Sequence, residues 1–136
     1  MTSKEYLRQA YRLNELIDSD AEELERLRDL SFKIAGGNYG ERVISSGRKE
    51  PSFVRYIDEI DEMEQKIHAE LCELVLLKRN ITQAINRMEN REERLVLTYR
   101  YLSNKTWEQI SSILSVSIRT VHRIHQSALN HFSVPS

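Results

Sequence analysis

Between Trp107 and Ile124 the apolar residues are spaced as two short helices need when they cross at a tight turn. Counted from Trp107, they fall at positions four (Ile110), eight (Leu114), ten (Val116), fifteen (Val121) and eighteen (Ile124). Helices patterned this way bury these side chains against each other and turn their polar faces outward. Position five, where the second helix crosses, must be small, and it is Ser111. Thr106 followed three residues later by Gln109 reads as a capping box that starts the first helix. Ser117 reads as the N-cap of the second, which runs from Ile118 to about Phe132. The pattern is that of a helix-turn-helix. One residue departs from it: position nine commonly holds glycine, because the turn needs a positive φ, and here it is Ser115.

The rest of the chain reads as helix too. Residues 91–102 form a third short helix ahead of the motif, with Leu95, Val96, Leu97, Tyr99, Tyr101 and Leu102 as its apolar surface. Residues 3–35 form one long helix, in which Tyr6, Leu13, Leu27 and Ile34 keep a seven-residue spacing. Ala10, Ile17 and Leu24 supply the offset of four, Asp20 and Ser31 interrupt the rows, and Leu7, Leu16 and Leu30 widen the stripe. Residues 53–89 form a second long helix with a cleaner repeat: Phe53, Ile60, Ile67, Leu74, Ile81 and Met88, with Ile57, Leu71 and Ile85 as a second row. All four glycines, at 36, 37, 40 and 47, fall between these helices, so residues 36–52 read as the connecting loop. Its Arg42, Arg48 and Lys49 are candidates to touch phosphate. The expected fold is all-α: a long antiparallel helical hairpin over residues 1–90, then a three-helix helix-turn-helix domain over 91–136.

Composition narrows the class. The chain has 136 residues, 40% hydrophobic and 30% charged, enough for a modest core in a water-soluble protein. No apolar run approaches the ~18–20 residues of a membrane span, and the first residues lack the apolar region of a secretory signal. The single cysteine, Cys72, cannot form an internal disulfide, which fits a reducing cytoplasm. Net charge is −1, but residues 1–90 carry −4 and residues 91–136 carry +3. An acidic body with a basic end fits a DNA-reading head on a protein-contacting body.

In a helix-turn-helix the second helix enters the major groove. Its outward face would carry Ser117, Ile118, Arg119, Thr120, His122, Arg123 and Gln126. Arg119 and Arg123, four apart, share a face, and an arginine can donate two bonds to guanine. Gln126 suits adenine or a phosphate, His122 a base or phosphate, and Ile118 a thymine methyl. Lys105 and Thr106, at the start of the preceding helix, suit backbone phosphate.

At these residues the chain resembles region four of the sigma-70 class of RNA polymerase sigma factors. The resemblance covers about residues 91–131 and rests on Arg100-Tyr101, Trp107-Glu108-Gln109-Ile110, Val116-Ser117 and Ala128-Leu129. Sigma factors commonly have glutamate early in the recognition helix where this chain has Arg119, so their promoter specificity is not carried over. Over nearly its whole length the chain is similar to short phage and prophage late-transcription regulators of the autolysin-regulator type, from Gram-positive bacteria. That likeness lies in the opening Lys4-Glu5-Tyr6-Leu7-Arg8-Gln9-Ala10-Tyr11-Arg12-Leu13, the long second helix, and the segment from Arg100 to Leu129 with His125. It implies a DNA-binding regulator of phage packaging or lysis genes that works with host RNA polymerase. The hairpin would dimerise the chain or contact the polymerase.

Other constellations carry less. His122, His125 and His131 have no carboxylate nearby on their helix and read as polar, partly DNA-facing surface, so no metal is expected. His68 reads as helix surface, and Cys72 as packed or at an interface. Asp58, Glu59, Asp61, Glu62 and Glu64 read as a solvated face. With no nucleophile–base pair and no phosphate-cradling glycine loop, neither an enzyme nor a cofactor is expected. Two rival readings are a DNA-packaging component akin to a small terminase subunit and a helical adaptor that binds protein alone.

Overall fold

The computed structural model describes residues 1–34 and 51–136. Among these described residues five α-helices follow in order: α1 (Ser3–Ile34), α2 (Pro51–Asn86), α3 (Arg91–Leu97), α4 (Trp107–Leu114) and α5 (Ile118–His131), with a π-helical turn, Thr98–Leu102, continuing α3. No strand occurs among the described residues, so the fold is all-α, with long helices ahead of a C-terminal helix-turn-helix. The expected loop, with Arg42, Arg48 and Lys49, lies outside the described residues except for Pro51 and Ser52, which open α2.

The chain divides into two compact units, one of residues 1–14 and 73–136, the other of residues 15–72. In the first, α1 starts with a capping box: Glu5 N–H donates to Thr2 Oγ1 at 3.1 Å and Thr2 N–H to Glu5 Oε1 at 2.9 Å. Hydrogen bonds from the Thr2 backbone N–H and hydroxyl hold the exposed Glu5 carboxyl below its ordinary pKa. Leu7 and Ala10 of α1 are buried, as are Ile81, Ala84, Ile85 and Met88 of α2. Phe132 tethers the end of α5 to the start of α1. Its ring lies 5.8 Å from that of Tyr6, and its carbonyl accepts from Ser3 Oγ at 3.3 Å.

In the second unit α1 and α2 carry ion pairs ordered as an antiparallel pair requires. Asp20 pairs with Lys66 at 3.4 Å and Arg28 with Glu64 at 2.5 Å. Asp20 and Ser31, which interrupt the apolar rows, are nonetheless buried there with Ile17, Leu24 and Leu27. Lys66 supplies the charge that a carboxylate removed from water needs. Leu16 and Leu30 do not widen the buried stripe, and Ile57 and Leu71 do not form a second buried row. All four are exposed, because two helices can cover only one stripe of each other. Cys72 is exposed rather than packed, with its Sγ 3.8 Å from His68 Nε2. The carboxylates of Asp58, Glu59, Asp61, Glu62 and Glu64 face solvent, as expected.

Candidate nucleic-acid interface

The helix-turn-helix closes around Val96, Ile110 and Val121, each with no exposed surface, and Tyr99, Trp107, Leu114, Val116 and Ile124 pack against them. All five spaced positions of the motif thus meet in one core. Asn90 caps α3 by accepting from Glu93 N–H at 3.0 Å. Beyond α3 the expected helix over 91–102 widens. Ser103 N–H donates to Thr98 O at 3.0 Å, a bond spanning five residues, and Asn104 follows in the left-handed region at φ 53°. Thr106 then starts α4 with the expected capping box: its Oγ1 accepts from Gln109 N–H at 3.1 Å, and its N–H donates to Gln109 Oε1 at 2.9 Å.

The turn between α4 and α5 explains how Ser115 stands in for glycine. Ser115 adopts the left-handed conformation, φ 56° and ψ 43°. Its N–H donates to Ser112 O at 3.3 Å and that of Val116 to Ser111 O at 3.2 Å. These are the two bonds of a Schellman motif, which satisfy carbonyls that the helix end would otherwise leave open. The Ser111 hydroxyl donates to Val116 O, so the small residue at position five is also a brace. Ser117 caps α5 by accepting from Thr120 N–H at 3.1 Å.

On α5, Ser117, Ile118, Arg119, His122, Arg123 and Gln126 are exposed. Positions 119, 122, 123 and 126 fall on one helix face by their spacing. Thr120 is half-buried, with its hydroxyl 3.0 Å from Ser117 Oγ, so it serves the cap. The His122 ring lies 4.6 Å from that of Trp107. Arg123 borders a hollow of about 230 Å³ that Glu92 and Glu93 also line. On α4, Thr106 is exposed and Lys105, just before it, is half-buried.

One histidine is not the surface residue that the sequence suggests, and a second, His131, stays at the surface but is paired with a carboxylate. His125 is buried, and its Nε2 lies 2.7 Å from Tyr101 Oη. Burial, with the nearby charges of Lys4 and Arg100 and with His122, pushes its pKa down to about 4. Burial raises that of Tyr101, so both partners are uncharged near neutrality. His131 lies with its Nδ1 2.9 Å from Glu93 Oε1, while Ser127 Oγ donates to Glu93 Oε2 at 2.7 Å. Burial alone would raise the Glu93 pKa. The bonds from Ser127 and His131 outweigh it and hold the carboxyl below its ordinary value. These two bonds tie α3 to α5, and no local pattern announces them, since Ser127 and His131 lie 34 and 38 residues from Glu93. No group of three or more metal-ligating side chains occurs among the described residues, and no helix there is long and apolar enough to cross a membrane.

The comparisons agree with this geometry. No curated protein and no solved structure matches the chain. Residues 90–132, which begin at the Asn90 cap and end at Phe132, match the family described as Sigma-70, region 4, and so carry a DNA-binding helix-turn-helix domain.

Proposed function

We infer that the chain is a sequence-specific DNA-binding regulator of transcription, with α5 as the helix that reads the major groove. The observation that carries this reading is the closed and doubly capped helix-turn-helix, whose free face bears Arg119, His122, Arg123 and Gln126. Arg119 and Arg123 contact guanine edges, Gln126 a base or phosphate, and Ile118 a thymine methyl. Lys105, Thr106 and Ser117 hold the phosphate backbone at the two helix starts, and Thr120 braces the Ser117 cap. The similarity of the whole sequence to phage and prophage regulators supports late phage genes as the target. A single head of charge near +3 binds DNA weakly, so a second contact is needed for useful affinity. A second copy of the chain or host RNA polymerase supplies it. Exposed Val75 and Leu76 on α2 are apolar surface available for that contact.

Arg119→Ala tests the reading. The expected result is a loss of ~1–3 kcal/mol in specific binding, with relaxed preference at one base pair. Equal weakening on all sequences would make Arg119 a phosphate contact and contradict its role as a reader.

A further inference from the structure

A basic hollow of about 250 Å³ lies in the same unit as the helix-turn-helix, lined by Lys4, Arg8 and Tyr11 of α1 together with Arg100, Tyr101, Asn104, Trp107 and His125. Three of these side chains are cations and none is a carboxylate. Lys4 and Arg8 are exposed, and neither pairs with a carboxylate among the described residues. Arg100 is fixed in place, with Nη1 donating to Lys105 O at 3.2 Å and its guanidinium 4.2 Å from the centre of the Trp107 ring. Like charges gathered in a concave, aromatic-walled site repel one another, and an anion relieves that repulsion. Tyr101 Oη and His125 Nε2 pair with each other, and the three cations are the charged groups that meet a ligand. The volume suits one phosphate group and is small for a larger metabolite.

The position of the hollow selects the source of that phosphate. Asn104 and Trp107 line it, and Lys105 and Thr106, assigned above to backbone phosphate, lie between them in the chain. We propose that the hollow holds a phosphodiester of the DNA strand that crosses the start of α4, so that Lys4 and Arg8 of α1 are DNA contacts. The proposal rests on the DNA-binding reading and deepens it. It adds to the interface a helix that lies outside the matched residues 90–132.

The test compares the full chain with Lys4→Gln/Arg8→Gln, and with Arg12→Gln as a control that removes an exposed charge of α1 outside the hollow. Both residues changed in the double variant are exposed, so thermal melts should coincide. Binding to duplexes of several sequences is measured by anisotropy across a salt series. Trp107, the only tryptophan, reports occupancy of the hollow through its emission. The expected result is that the double variant weakens every duplex by one common factor. It should also lower the slope of log affinity against log salt by about 1, as expected when one fewer phosphate is neutralised. Arg12→Gln should leave the slope unchanged, and duplex should shift Trp107 emission in the wild type. A wild type that binds duplex, with the double variant equal to it in affinity and slope, overturns the proposal and leaves the DNA-binding reading standing. Saturation of the Trp107 signal by micromolar inorganic phosphate or nucleoside monophosphate, abolished in the double variant, overturns it in favour of a small-molecule site. A wild type that binds no duplex at low salt overturns both.

Discussion

The two compact units are built from the same kind of helix and end up differently filled. In the unit of residues 1–14 and 73–136, short helices meet from several directions and close a core in which Val96, Ile110 and Val121 have no exposed surface. In the unit of residues 15–72, α1 and α2 meet only along a stripe. Leu16, Leu30, Val54, Ile57 and Leu71 remain exposed there, and each unit buries a carboxylate, Glu93 in the first and Asp20 in the second. Burial of apolar surface holds the first together. Both add ion pairs, Glu93–His131 in the first and Asp20–Lys66 and Arg28–Glu64 in the second, and such pairs contribute little where they are exposed, as Arg28–Glu64 is. Short helices gain from caps because each missing end bond is a large share of their total. All the helix starts of the helix-turn-helix are capped by side chains, at Asn90, Thr106 and Ser117.

The contrast breaks if truncation costs the same in both units. Ile110→Ala should destabilise by ~2–5 kcal/mol in urea unfolding, whereas Leu71→Ala should fall within about 0.5 kcal/mol of wild type. Equal losses would mean that the exposed row of α2 is covered in solution. Acid sharpens the same contrast. The folded pKa of His125 is depressed from 6.5 to about 4, so the unfolded chain binds the proton more readily. The stability this gives is fully present above about 6.5 and is lost as pH falls through about 4. Glu93, also depressed, adds its own loss only below its ordinary value of 4.5. The urea midpoint of the wild type should fall between pH 7 and pH 5 and that of His125→Gln should fall less; parallel curves would remove His125 from the account.

Smaller effects probe the caps. Thr106→Ala should cost ~1 kcal/mol, since it abolishes a two-way capping box; a melting temperature equal to wild type would show that solvent replaces the cap without loss. Ser115→Gly should act in the opposite direction, stabilising by up to about 1 kcal/mol, because glycine carries no Cβ into the left-handed region. A destabilised Ser115→Gly would mean that the Ser115 side chain stabilises the turn by more than its strain costs.

What the sequence reveals follows the range of the interactions. Thr106, Gln109 and Ser117 are legible because a cap and its partner lie three residues apart. The core of the helix-turn-helix is legible because its helices are short and joined by a tight turn, so spacing fixes who meets whom. The capping box of Thr2 and Glu5 is equally local, and the same three-residue signature would reveal it. Burial of His125 against Tyr101 is different in kind, since its partner is 24 residues away. The basic hollow joins residues 4 and 8 to residues 100–125, and no periodicity connects them. The long helices mislead in the other direction: a seven-residue repeat shows that a stripe exists but not how wide a neighbour will cover it. Leu16, Leu30, Ile57 and Leu71 fit the pattern and remain exposed.

The central claim is that the exposed face of α5 reads DNA sequence. The most direct measurement is selection from a random-sequence duplex pool, with the wild type beside Arg119→Ala/Arg123→Ala and the retained duplexes sequenced. The account predicts an enriched motif that the double variant fails to select, in palindromic half-sites if the chain acts as a dimer. No enrichment by the wild type at low salt, and no difference between the two proteins, would contradict it.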